Sequence, residues 1–461
     1  MIRSRMKIVL MSVPLLVLVA WSSLTSLSET APPDREEVVF WHFWSGPDAD
    51  VVADVVTRFN RSQDRYYVRA ISMPGNNFDM KLFLAITGGD PPDLINQDDP
   101  IVADWAERGA IMSMEEIVPP DEVAEFRDWL LPAAVRLGLY RNRCYAVCNG
   151  LDIRALYYNT DLIESALGTV APTELRDVAH LDEIAERCNV YDSTGNLQQV
   201  GYLPDPRRLW AWGVVFGGEF IDTRTSRIRA SDPQIVAALQ WMVGYRDRLG
   251  AGTVAKFRQN DQSLPNKMFP LLAGRHAIIM DGQWRVRDIV QSQAASRRTG
   301  QMPTRYGVWR LPADPAQGGR DGWVNGNVFM VPRGARQPRG AWEFIKFWCG
   351  YGGQVEQAAQ TCIAGGWIPV SDEVCQSADF VQYLEANPLF ARFVELSQTD
   401  QVPTPVIPGA ARYYREVNNA VQQLMYSENP PTPTAVLERV ELSVQQAVDQ
   451  IRESRNPEEA P

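Results

Sequence analysis

From Val38 onward, short apolar runs alternate with amphipathic stretches, and that alternation constrains the fold more than any other feature. VVFWHFW (Val38–Trp44) is β-branched and aromatic and stops at Ser45-Gly46-Pro47, the pattern of a buried strand. Asp48 is placed to cap a helix whose apolar face is Val51, Val52, Val55, Val56 and Phe59. Tyr66–Ile71 reads as a second strand. Phe78–Ile86 reads as a helix stopped by Gly88-Gly89, and Asp93–Asn96 as a third strand opening into Gln97-Asp98-Asp99-Pro100. Strand, helix, strand, helix, strand predicts a parallel α/β sheet built from right-handed crossovers. Further on, Tyr306–Leu311 and Val328–Val331 read as strands and Arg339–Trp348 as a helix. Leu437, Val440, Val444, Ala447 and Ile451 recur at helical spacing in Thr434–Ile451.

Composition then removes whole classes of function. The 461 residues are enough for two to four domains, and 45% hydrophobic against 22% charged residues is a folding composition. Lys and Arg number 45 against 56 Asp and Glu, a net charge of -11, which opposes general nucleic-acid binding and adhesion to anionic lipid. His42, His180 and His276 are too few and too scattered for a His-rich metal site. No G-x-S-x-G elbow, P-loop, H-E-x-x-H or nucleotide-binding glycine motif is present. Asp98 and Asp99 are adjacent, so in extended chain they face opposite ways and do not flank one glycosidic bond. No enzymatic activity, cofactor or metal is expected, a secreted glycoside hydrolase being the least favoured reading.

The first 31 residues read as an export segment. Arg3, Arg5 and Lys7 precede an apolar stretch, Ile8–Trp21, shorter than the roughly 20 residues of a comfortable span. It is either a cleaved signal peptide or an uncleaved signal anchor, and the body is expected to be periplasmic or otherwise extracytoplasmic. Six cysteines in an exported chain suggest disulfides. Cys144 and Cys148, on a strand, are too far apart to bridge. Cys362 and Cys375 flank a turn-rich segment and form the best local pair; Cys188 and Cys349 have no assigned partner.

Several motifs then occur in a fixed order: the strand ending in FWSG, TGGDPPDL, CYAVCNGLDIRALYYNTDLIESALG, LLAGRHAIIMDGQWRV, YGVWRLP, WVNGNVFMVP and GAWEFIKFW. Together they resemble family 1 extracellular solute-binding proteins of the maltose-binding type, from Val38 to about Arg452. Cys144 and Cys148 depart from the family's glycine-lysine-x-tyrosine-glycine-x-proline strand, and no lipid-attachment cysteine follows the export segment. The resemblance implies a two-lobed periplasmic-binding-protein fold (type II) with doubly wound sheets and an interlobe ligand cleft. Its crossovers fall near Glu116–Pro120, Trp323–Asn327 and Cys375–Phe380, with lobes 38–118 plus 327–376 and 120–324 plus 380–453. It also implies a monomer that closes on a carbohydrate and delivers it to ABC permease subunits. A sensor that presents its ligand to a receptor, and a glycerol-phosphate ligand suggested by Arg207-Arg208, remain open.

Candidate ligand residues follow from the same motifs. The 14 tryptophans favour flat apolar platforms for sugar rings, although any one of them is by default a core residue. Trp284 follows the polar turn Asp281-Gly282-Gln283 and Tyr158 closes a strand; both match ligand-facing aromatics of the family. Trp44 with Ser45, Trp210, Trp212 and either Tyr413 or Tyr414 complete the aromatic set. Gln97 and Asp98 are the hydroxyl-binding candidates, while Asp93 braces its strand and Asp99 is a turn residue. Gly326 and Asn327 sit at a crossover where backbone can approach a ligand.

Overall fold

The computed structural model describes residues 31–73, 78–222, 224–225, 227–265 and 268–453, so residues 1–30 of the export segment lie outside it. Nine strands form one sheet: β1 (Glu36–His42), β2 (Tyr66–Ser72), β3 (Leu94–Asp98), β4 (Ile111–Met112), β5 (Val147–Asn159), β6 (Ile278–Gly282), β7 (Tyr306–Trp309), β8 (Gly322–Pro332) and β9 (Gln401–Pro403). The order is β6-β5-β8-β3-β1-β2, with β7 on β5, and β4 and β9 on β8. β1 runs parallel to both β2 and β3, and the connecting helices Pro47–Ser62 and Phe78–Thr87 make the α/β alternation read from the sequence.

Local chemistry sets the helix after β1. Pro47 opens it and Gly46 takes a positive φ of 58°, so no side chain caps it. Asp48 therefore does not cap this helix; its carboxylate accepts from Arg287 Nη1 at 2.9 Å. Val52, Val55, Val56 and Phe59 are buried as the spacing required.

The two halves of the molecule are joined through one long strand. β5 pairs antiparallel with β8 from Val147 to Ile153. From Arg154 to Asn159 it pairs instead with β6 on one side and β7 on the other. Along the second half of β5, alternate residues enter two hydrophobic clusters: Tyr157 joins the first, Leu156 the second. The helix Pro120–Trp129, placed by the resemblance beyond the first crossover, packs against the helix Pro338–Trp348. Phe126 meets the Trp342 ring edge at 4.8 Å, and Trp342 Nε1 donates to Glu122 at 2.6 Å. The change of sheet partners falls later, within β5.

All six cysteines are free thiols. The Cys362–Cys375 bridge is not formed. Cys362 is buried in the helix Val355–Gly365, while Cys375 ends the short helix Asp372–Cys375. Burial pushes the thiols up, Cys188 to about 11 and Cys144 and Cys375 to about 12, where little nucleophilic thiolate forms. No helix among the described residues is long and apolar enough to cross a membrane. Thiol titration of the native protein is expected to detect at most the half-buried Cys375, and titration in urea all six. Two thiols missing in urea would restore a disulfide.

Candidate ligand-binding cleft

A cleft of 480 Å³ opens where the sheet changes partners. Gln97 and Asp98 come from the carboxyl end of β3, followed by Pro100 and Ile101. Asp152 and Arg154 come from the joint in β5, Trp323 and Asn325 from β8, and Asp281 from β6. Trp284 and Arg285 begin the helix Arg285–Arg298, while Ala411 and Tyr414 lie on the helix Ala410–Tyr426. Arg207 and Arg208 complete the rim. Ligand sites of open α/β sheets lie beyond strand carboxyl ends, where β3 delivers its residues. An adjoining cavity of 660 Å³ shares Arg207, Arg208, Asp281 and Arg285 with the cleft.

The floor is a lattice of buried charge. Asp281 accepts from Arg208 Nη2 at 3.0 Å and Arg285 Nε at 2.9 Å. These cations and Arg154 hold its carboxyl below the usual range against the opposing cost of burial. Asp152 accepts from Gln283 Nε2 at 2.8 Å, and burial raises its pKa. Asp98 accepts from Asn327 Nδ2 at 2.7 Å; desolvation, then the charge of Asp152, push its carboxyl up to about 6. Asp99 lies behind it, fully buried, and desolvation pushes it to about 7.

Five of the residues singled out from the sequence converge here. Gln97, Asp98, Trp284 and Tyr414 line the cleft, and Asn327 orients Asp98. Gly326 sits one layer back: its N–H donates to Asp99 Oδ1 at 3.3 Å, and a Cβ there would lie 2.7 Å from Cys148 Sγ. It makes room for a neighbouring strand and does not line the cleft. Trp44 stacks on Trp348 at 5.9 Å in the core, with Ser45 exposed beside it. Tyr158 stacks on Trp309 at 3.9 Å. Trp212 donates from Nε1 to the Tyr202 hydroxyl at 3.1 Å, and the Tyr413 hydroxyl donates to the Phe220 carbonyl at 2.9 Å. Trp210 is buried behind Tyr414, their rings stacked at 6.1 Å. None of these six residues lines the cleft. The sequence reading missed Trp323, Asp152, Arg154, Asp281 and Arg285 as lining groups and took Arg207-Arg208 only as a sign of a phosphate ligand; charged residues inside an apolar strand, as in GLDIRALYYN, were the available signal.

A family model described as a bacterial extracellular solute-binding protein matches residues 54–390, and the chain belongs to that family. The maltotriose-binding protein of Pyrococcus abyssi (strain GE5 / Orsay) is 21% identical over 362 residues, 78% of this chain and 71% of its own length. Among solved structures, CpMnBP1 with mannotriose bound superposes with a TM-score of 0.74 at 23% identity, covering 88% of this chain and 99% of its own. The maltose/maltodextrin-binding domain of MalE from Bdellovibrio bacteriovorus, bound to maltotriose, gives 0.66 at 17%, covering 90% and 100%. The fold is therefore the two-lobed α/β arrangement of solute-binding proteins, and these relatives are binding proteins.

The raised carboxyls make stability depend on pH with a definite sign. Below about pH 4 the folded and unfolded states hold the same protons on these groups. Between there and about pH 7 the folded state holds protons the unfolded chain has released, so their contribution falls as pH rises. Asp99→Asn removes one such group, and its stability relative to the wild type is expected to rise by about 2 kcal/mol from pH 5 to pH 8. Urea unfolding at both pH values measures this; a difference that does not change with pH would refute the assignment.

Proposed function

We propose that this chain is the extracytoplasmic binding component of an ABC importer, taking a carbohydrate in the cleft and delivering it to membrane permease subunits. The observation that carries the reading is the cleft lining. Trp284 and Tyr414 offer apolar faces beside Asp98, Asp152, Asn325 and Gln97, which exchange hydrogen bonds with hydroxyls. A sugar needs both, because its C–H faces are apolar and its rim is polar. The relatives support the same class, since those named above carry or are named for oligosaccharides.

Closure supplies the remaining energy. The lining comes from elements on both sides of the partner change in β5, so a ligand touching Asp98 on one side and Trp284 on the other favours the state that brings them together. We place the hinge at the partner change in β5 and the neighbouring stretch of β8, with rigid packed halves on either side. The closed form is the one expected to engage the permease.

Calorimetric titration with manno- and malto-oligosaccharides tests the reading. Saturable binding is expected, with a smaller radius of gyration in solution scattering once ligand is bound. Trp284→Ala and Tyr414→Ala should each weaken binding by at least ~2 kcal/mol, about thirtyfold. Trp212→Phe, in the core, should leave affinity unchanged. Binding of no sugar, neutral or acidic, or an unaltered affinity in both aromatic variants, would sink the assignment.

A further inference from the structure

Three of the four guanidiniums on the cleft are held by carboxylates. Arg207 closes on Asp205 through Nε at 3.0 Å and Nη2 at 2.9 Å. Arg208 and Arg285 share Asp281, and Arg285 Nη1 also donates to Asp288 at 2.9 Å. Arg154 differs from all of them. It is 6% exposed, and neither Nε nor Nη1 has a hydrogen-bond partner among the described residues. Its guanidinium carbon lies 4.7 Å from the Trp284 ring centroid and 5.3 Å from that of Trp323, so two indoles fix its position.

The acids around it feel its charge but accept their hydrogen bonds from other groups. Asp98 is bonded by Asn327, Asp152 by Gln283, and Asp281 by two other arginines. Contacts with the indoles offset only part of the cost of desolvating an ion. What this cation lacks is an acceptor, and an ionised acceptor forms a bond about twice as strong as a neutral one. Asp98 and Asp152 face the same space, so an anion at Arg154 has to be held at its guanidinium on the side away from these two carboxyls.

Resting on the carbohydrate reading above, we propose that the preferred ligand is an acidic oligosaccharide whose anionic group, a uronate carboxylate or a phosphate monoester, is bound by Arg154 between the two indoles. Arg154 is thereby the residue that separates acidic from neutral sugars at this site.

Matched pairs decide it. Trimers of galacturonate, mannuronate and glucuronate, each beside its methyl ester, and glucose 6-phosphate beside glucose are titrated into the wild-type protein by calorimetry. At least one acidic member is expected to bind tenfold or more tighter than its neutral partner, and which pair does so separates carboxylate from phosphate. In Arg154→Gln that ratio should collapse toward one, while Arg154→Lys retains part of it. Should Arg154→Gln not fold, Arg154→Lys carries the comparison, and an acidic preference left whole in a folded Arg154 variant also overturns the inference. No acidic preference in any pair, with neutral manno- or malto-oligosaccharides bound, overturns the inference and leaves the carbohydrate reading standing. Failure of every acidic and neutral sugar to bind overturns the reading beneath it as well.

Discussion

The handover of β5 from one set of partners to another is the constraint on which the rest of the molecule depends. A strand's backbone groups must be paired wherever they are buried. β5 meets that requirement with β8 as far as Ile153 and with β6 and β7 from Arg154 onward. Two regions of sheet thus share one covalent strand while their other strands diverge. The cleft is the wedge left by that divergence, and Asp152 and Arg154 stand at its apex because they flank the exchange. Arg208, Asp281 and Arg285 then neutralise one another around this apex, which lets so much charge lie in so little water.

Legibility in the sequence followed the range of the interaction. The parallel strands β1, β2 and β3 and their helices were readable because hydrophobic periodicity is local, as was the tail helix Pro433–Glu453. Gln97, Asp98 and Trp284 were readable for a similar reason: each lies where a strand visibly ends in polar residues. Tyr413 and Tyr414 could not be separated without the helix register, which buries the first and turns the second to the cleft. Trp44, Trp210 and Trp212 show the limit of composition, since an indole on a core helix and one on a ligand platform are the same letter. Tyr158 shares the face of Arg154, but four residues on, about 13 Å along the strand, where Trp309 covers it. Arg154 and Trp323 acquire their roles only from pairings between distant segments.

Glycine contributes to the same joint by what it omits. At Gly326, a Cβ would lie 2.7 Å from Cys148 Sγ and 2.7 Å from the Gly150 carbonyl. At Gly282, it would come within 2.2 Å of the Trp284 ring. The first absence lets β8 and β5 pack closely beside the partner change, and the second leaves room for the Trp284 ring against the end of β6. Any larger side chain at either position would push apart surfaces that the cleft needs close.

The six thiols add a matter of timing. The chain belongs to an extracellular solute-binding family, yet all six of its cysteines are free thiols. Cys148 and Cys349 lie side by side in the finished core, the Cys349 thiol 3.8 Å from the Cys148 carbonyl, although about 200 residues separate them along the chain. Until that long loop closes, all the sulfurs are open to oxidant and to one another. In any oxidising medium burial has to outrun oxidation, and the yield of usable protein there is set by a race between two rates as much as by the depth of the folded minimum.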